Sequence, residues 1–176
     1  SISANESSLK YFLLGAFATG FLLYGIAFLY GSTGTTNISA ITEHFDLYSS
    51  SLLFLTGIAL FIVGLAFKVG AVPFHMWTPD VYEGAPTPVT TFFASAPKLA
   101  AMAMLVRVVM TAFPEVTHEW RQIVVFIALG SMILGAFAAI GQRNFKRLLA
   151  YSSIGHVGYA LVGLSAGTNA GVEGVV

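Results

Sequence analysis

The sequence predicts an all-α protein: a polytopic bundle of transmembrane helices, one of them discontinuous. Three observations carry that reading. Of 176 residues, 56% are hydrophobic and only 9% are charged, whereas a soluble domain carries about 25% charged residues. The apolar residues fall in long blocks, the pattern of membrane helices. One block runs on past the length of a single crossing, with a glycine and a proline inside it. Open sheets are excluded, because lipid cannot satisfy an unpaired strand edge. The short alternating segments of a β-barrel are absent.

A bilayer core of about 30 Å needs about 20 mostly apolar residues per helix. Five stretches meet this requirement or nearly do. Residues 11–30 hold Thr19 as their only hydroxyl besides the tyrosines. Residues 52–72 are interrupted by Lys68. Residues 89–113 contain Lys98 and Arg107, and residues 123–140 have no charge. Residues 148–164 carry Tyr151, Ser152, Ser153 and His156. Gly15, Ala16, Thr19 and Gly20, then Gly57 and Gly64, then Gly130, Ser131 and Gly135 offer small surfaces for close helix packing.

Composition also sets exclusions. Eight basic and eight acidic residues give zero net charge. A nucleic-acid partner would require a basic face, so the expected surroundings are the lipid bilayer and other membrane proteins. With no cysteine there is no disulfide framework, Cys-based zinc site or iron–sulfur ligation. His44, His75, His118 and His156 lie too far apart to show metal-ligand spacing. The chain opens Ser1-Ile2-Ser3, without Met, basic n-region or cleavage motif, and closes on Val175-Val176. It reads as a fragment.

Basic residues in short loops mark the cytoplasmic side. Arg143, Lys146 and Arg147 mark the loop before the last block. Alternation then places Lys10 and residues 79–88 inside, and residues 114–122 and 31–50 outside. The last of these loops has Glu43 and Asp46 but no Lys or Arg, while Arg121 is an exception.

Helix-compatible sequence continues from residue 52 to residue 82. Unbroken, it would be about 46 Å long at 1.5 Å per residue. Gly70 and Pro73 follow Lys68, and proline removes a backbone donor and clashes with the preceding turn. A break near 70–73 is expected. Such breaks are tolerated only beside protein or a water-filled cavity, and they mark ion pathways in transporters; a kinked structural helix is the plainer reading.

Lys68 and Lys98 each sit roughly mid-block. Lys98 lies about 14 Å along its helix from Val89, so snorkelling is hard. A basic side chain at that depth costs roughly 2.5–3.5 kcal/mol, and burial penalises the charged amine. Two readings fit: a proton relay, or a fixed ion pair. No Asp or Glu lies inside the five stretches, so a carboxylate partner would come from elsewhere. Pro97 frees the Phe93 carbonyl one turn back. Arg107 is closer to its helix end and reads as an anchor. Ser152, His156 and Tyr159 share one helical face, suited to water or to interhelical hydrogen bonds. His75, beside Pro73, reads as structural.

The stretch from Phe67-Lys68 through Val72-Pro73-Phe74-His75-Met76-Trp77-Thr78-Pro79-Asp80-Val81-Tyr82-Glu83-Gly84-Ala85-Pro86-Thr87-Pro88 is distinctive. It resembles the antiporter-like membrane subunits of respiratory NADH:quinone oxidoreductase (complex I), and among them the subunit N type. Leu9-Lys10-Tyr11-Phe12-Leu13-Leu14-Gly15 upstream and Asn144-Phe145-Lys146-Arg147-Leu148-Leu149-Ala150-Tyr151-Ser152-Ser153-Ile154-Gly155-His156 downstream agree in order and spacing. The resemblance implies that all 176 residues belong to one antiporter-like domain and cover helices six to ten of such a subunit. It implies a proton relay through Lys68, Lys98 and His156 in a bacterial inner membrane. It implies that NADH, FMN, iron–sulfur clusters and quinone belong to partner subunits, with other membrane subunits of complex I as neighbours. No Gly-rich strand-to-helix turn for a dinucleotide is present. Pro97 departs from the pattern, which has a small hydroxyl residue before the second lysine. The run Trp77-Thr78-Pro79-Asp80-Val81-Tyr82 favours this type over a subunit of a multi-subunit cation/proton antiporter, and the two lysines argue against a purely structural module.

Overall fold

The fold was described from a computed structural model, which defines residues 2–43, 47 and 50–175. His44 and Asp46 lie outside the described residues. Among the described residues, five helices are long and apolar enough to cross a membrane. They are α1 (Ile2–Thr33), α3 (Leu52–Val69), α5 (Thr87–Thr111), α6 (Thr117–Ile140, entered through a 3₁₀ turn at Pro114–Val116) and α7 (Phe145–Ser165). Three short helices accompany them among the described residues: α2 (Ile38–Glu43), α4 (Trp77–Gly84) and α8 (Asn169–Glu173). The described residues form no strand.

α1 is 32 residues long, about 48 Å, and starts nine residues before its apolar stretch. The extension has a packing reason: α1 runs antiparallel alongside both α3 and α4. Gly25 meets α3 backbone to backbone, where an added Cβ would lie 2.6 Å from the Phe61 nitrogen. Gly64 makes the reciprocal approach, 2.6 Å from the Leu22 Cβ. α6 and α7 form the second close pair. A Cβ at Gly135 would fall 2.7 Å from the Gly155 nitrogen, and one at Gly158 2.9 Å from the Met132 nitrogen. Small residues thus do what lipid-embedded packing asks of them. Ala16, Thr19 and Gly20 do not: they are exposed, and a Cβ at Gly20 would touch no neighbour.

Between the pairs, Phe54, Ile62, Leu105, Val109, Phe113 and Trp120 form the largest buried cluster. The Phe54 and Phe113 rings meet edge to face at 5.7 Å, and the Trp120 indole donates to the Phe113 carbonyl at 3.0 Å. α5 passes Pro97 without a break.

α3 stops at Val69 because Gly70 enters the left-handed region, with φ 75° and ψ 32°, where only glycine pays no steric cost. Gly70 N–H donates to the Phe67 carbonyl and Ala71 N–H to the Ala66 carbonyl, at 3.1 and 2.9 Å. That pair of bonds is a Schellman cap. Glycine therefore ends the helix, and Pro73 acts only after it has ended. The segment up to α4 is irregular, yet it is well paired. Phe74 N–H donates to the Ala71 carbonyl at 2.7 Å and Thr78 N–H to the His75 carbonyl at 2.9 Å. The Trp77 indole donates to the Phe67 carbonyl at 3.0 Å. Val72 N–H donates across to the Ser131 hydroxyl of α6 at 2.9 Å, and Ser131, fully buried, donates in turn to the Ile127 carbonyl.

Ser131→Ala should therefore orphan the Val72 N–H and cost about 1–3 kcal/mol. Thermal unfolding of the detergent-solubilised protein checks this; an unchanged melting temperature would show that the break is held otherwise.

Candidate functional site

The broken segment places polar side chains from three helices, α4, α5 and α7, around one point. Lys98, on α5, is only 7% exposed. Its amine donates to the Ser153 hydroxyl of α7 at 2.6 Å. It also stands 5.3 Å from the centre of the Tyr82 ring of α4, a cation–π distance. On the α3 side it approaches Gly70, whose added Cβ would lie 3.7 Å from the Lys98 Nζ and 2.7 Å from the Thr78 Oγ1. Glycine is thus needed twice at position 70, for its backbone conformation and because a Cβ there would collide with the Thr78 hydroxyl.

Thr78 and Tyr82 lie one turn apart on α4. The buried Thr78 Oγ1 and Tyr82 hydroxyl have no geometric hydrogen-bond partner. Ser153 stands close enough to the Tyr82 hydroxyl to act on it electrostatically, although the geometry falls short of a bond. Buried polar atoms left free are costly, so a cluster of them beside a buried amine marks a site rather than a packing element.

The three sequence-predicted site residues separate. Lys98 lies at the centre. Lys68 is half-buried one residue before the end of α3, adjoining the same break. Among the described residues no carboxylate pairs with either lysine. His156 is exposed, in a groove between α6 and α7 that also exposes Tyr159. Its Nδ1 lies 2.7 Å from the Ser152 carbonyl, and its ring meets Tyr159 at 5.8 Å. Arg107 is exposed. His75 is half-buried, with its Nδ1 enclosed and unbonded in geometric terms.

Sequence reasoning missed two features. Ser153, and not the neighbouring Ser152, meets Lys98; the two are 55 residues apart, and only the fold joins them. The second is a charged cluster at the end of the bundle that carries Lys10, beyond the apolar stretches. Asp80 of α4 accepts from Lys10 of α1 at 2.8 Å and from Arg147 of α7 at 2.6 Å. Arg147 also reaches Glu83 at 3.0 Å, and Lys10 reaches Glu6 at 2.7 Å. Asn144 caps α7 by accepting from the Lys146 and Arg147 nitrogens, and its amide donates to Glu83. Lys146 donates to the Ala85 carbonyl at 2.9 Å. The signal was available: loops 79–88 and 141–147 share a side, one acidic and one basic. A cavity of about 260 Å³ opens within the cluster.

Comparison with known proteins places this architecture. The whole chain, residues 1–176, matches the family described as "NADH:quinone oxidoreductase/Mrp antiporter, TM". It is 62% identical to NADH-quinone oxidoreductase subunit N of Azorhizobium caulinodans, over 100% of this chain and 37% of that protein. It is 58% identical to subunit N 1 of Rhizobium meliloti with the same coverage. The chain thus spans a little over a third of the length of these relatives. Among solved structures, a chain of "Respiratory complex I from Thermus thermophilus with bound Aureothin" superposes with a TM-score of 0.77 at 44% identity, covering 93% of this chain and 34% of that one. A chain of the Mrp complex from Dietzia sp. superposes with a TM-score of 0.88 at 26% identity, covering 99% and 33%.

The charged cluster yields a prediction with a defined pH window. Burial pushes the Asp80 carboxyl up, but hydrogen bonds from Lys10 and Arg147 outweigh it and hold the group below the usual carboxylate range. A depressed acid stabilises the fold above its unfolded pKa and loses that contribution as pH falls through the folded value. Asp80→Asn should lower the melting temperature by a few degrees at neutral pH, a modest effect because the pairs are partly solvated. The gap between variant and wild type should close as pH falls below the ordinary carboxylate range. A gap that persists in acid would remove the ion pairs as its cause.

Proposed function

Because the chain belongs to the NADH:quinone oxidoreductase/Mrp antiporter transmembrane family, we propose that it is the central part of a proton-translocating membrane-arm subunit of the subunit N type. In this reading the protein sits in a bacterial inner membrane beside other membrane subunits of complex I. NADH, FMN, iron–sulfur clusters and quinone belong to partner subunits, and electron transfer from NADH to quinone takes place there. This chain contributes the proton path, and the relay residues are Lys68, Lys98 and His156.

The observation that carries the reading is the environment of Lys98. A buried amine paired with a carboxylate would be locked in its charged form, since removing the charge strands its partner. Lys98 faces a hydroxyl and an aromatic ring instead. These neighbours support the ammonium without demanding it, so a proton can arrive and leave. Lys68 adjoins the same helix break with no carboxylate partner among the described residues, which suits it to exchange protons with the same pocket. The exposed groove around His156 suits a residue that continues the path into parts of a longer subunit. Its separation from Lys98 makes His156 a later step and not a direct acceptor.

A second reading, a subunit of a multi-subunit cation/proton antiporter, is favoured by the closer superposition on the Mrp chain. Sequence identity runs the other way, at 44% with the complex I chain against 26% with the Mrp chain. Backbone likeness reports the shared fold, whereas side-chain identity reports the site, so the first reading is the stronger.

In the intact complex, Lys98→Ala should cut NADH-driven proton translocation to a small fraction of the wild-type rate while assembly survives. Lys98→Arg should fail similarly, because arginine keeps its proton at accessible pH. Dye-monitored acidification of proteoliposomes measures both. Wild-type pumping by Lys98→Arg would remove Lys98 from the relay, and the same comparison at Lys68 tests that position.

A further inference from the structure

We infer that Ser153 is the positioning residue for Lys98, a hydroxyl that holds the amine in place in both of its protonation states. The inference rests on the proposed relay role of Lys98 and adds a residue to it.

The argument begins with what each protonation state needs. An ammonium has three donors and no acceptor, so it needs lone pairs around it. A neutral amine gains a lone pair and needs a donor as well. A serine hydroxyl supplies both, one donor and two acceptor positions. At 2.6 Å from the Lys98 Nζ, Ser153 accepts while the lysine is charged. After the proton has left, rotation of its hydroxyl lets it donate to the amine. The heavy atoms stay where they are. A backbone carbonyl or a carboxylate could accept from the amine in either state but could not donate to the lone pair of the neutral one.

The surroundings make this partner matter. No other hydrogen bond from Lys98 to a side chain or carbonyl is seen among the described residues. Tyr82 presents its ring to the amine, and that contact favours the charged form alone. Gly70 offers the amine no side chain, and an added Cβ there would lie 3.7 Å from the Lys98 Nζ. The Thr78 and Tyr82 hydroxyls, buried and unbonded, line the same pocket but do not reach the amine. If Ser153 lost its oxygen, the flexible lysine stem would have no directional contact in the neutral state and one fewer in the charged state. Of the titratable groups on the elements packed here, Tyr82 presents its ring to the amine, and Lys68 adjoins the same break from α3. His156 opens onto the exposed groove, and Asp80 is taken up by Lys10 and Arg147.

The test uses the full-length subunit in the assembled complex. The pH profile of NADH-driven proton pumping would be recorded in membrane vesicles for wild type, Ser153→Ala, Ser153→Thr, Ser153→Val and Lys98→Ala. Removing the hydroxyl deletes a hydrogen bond from both states, and the bond to the charged amine is the stronger by about twofold, so the ammonium loses more. Ser153→Ala should therefore move the alkaline limb of the profile about one pH unit lower, and Ser153→Thr, which keeps the hydroxyl, should retain the wild-type limb. The Thr and Val variants have nearly the same shape and should differ from each other in the same sense. A wild-type profile in Ser153→Ala, or matching profiles in the Thr and Val variants, overturns the inference. So does loss of assembly in every hydroxyl-free variant while Ser153→Thr assembles, which would make the role structural. Lys98→Ala separates the two levels. Wild-type pumping there sinks the relay reading itself; lost pumping there, with Ser153→Ala unchanged, sinks only the role of Ser153.

Discussion

The structure depends on one constraint: backbone polar groups at membrane depth must find partners inside the protein. The break between α3 and α4 is where that constraint is hardest to meet, since the helical ladder stops after Val69. The segment meets it locally and from outside. Gly70 and Ala71 cap the α3 carbonyls, and the Trp77 indole doubles the cover on Phe67. Ser131 reaches across from α6 to take the Val72 N–H. Each bond is ordinary, net about 1 kcal/mol. Their collective effect is to make an irregular segment admissible among apolar helices.

That admissible break is what permits chemistry. A side chain at position 70 would collide with the Thr78 hydroxyl and come into contact with the Lys98 amine. The left-handed turn at Gly70 ends α3 and brings α4 into position to present Thr78 and Tyr82. α4 is only eight residues long, too short to hold its place by itself. Contacts at both of its ends anchor it. Trp77 is buried against Phe67 and Tyr11, and Asp80 with Glu83 ties it to α1 and α7 through Lys10 and Arg147. Fold and site are thus coupled: the ion pairs at the bundle's end hold the short helix that shapes the pocket around Lys98.

Much of this could be read from the sequence. Hydrophobic blocks find the five long helices because lipid imposes length and composition together. The two lysines stand out because charge is rare in such blocks, and Gly70 with Pro73 signals the interruption. What escaped depends on distance along the chain. Ser153 is one of two adjacent serines, and no local pattern says which of them turns toward α5. Ser131 looked like a small packing residue, and its hydroxyl gained a role only from the unpaired N–H of Val72. The apolar stretch begins at residue 11, while α1 begins at Ile2, because residues 2–10 are held by α4 rather than by lipid. Ser152, His156 and Tyr159 do share a helical face, but that face opens away from Lys98.

The most direct measurement is an experimental structure of the intact membrane protein, resolved well enough to place side chains and ordered water around residues 66–78. The account predicts a left-handed Gly70, the Val72 N–H on the Ser131 hydroxyl, and the Lys98 amine on Ser153 with no carboxylate in contact. A regular helix running unbroken from Leu52 into α4, or a carboxylate seated on the Lys98 amine, would contradict it.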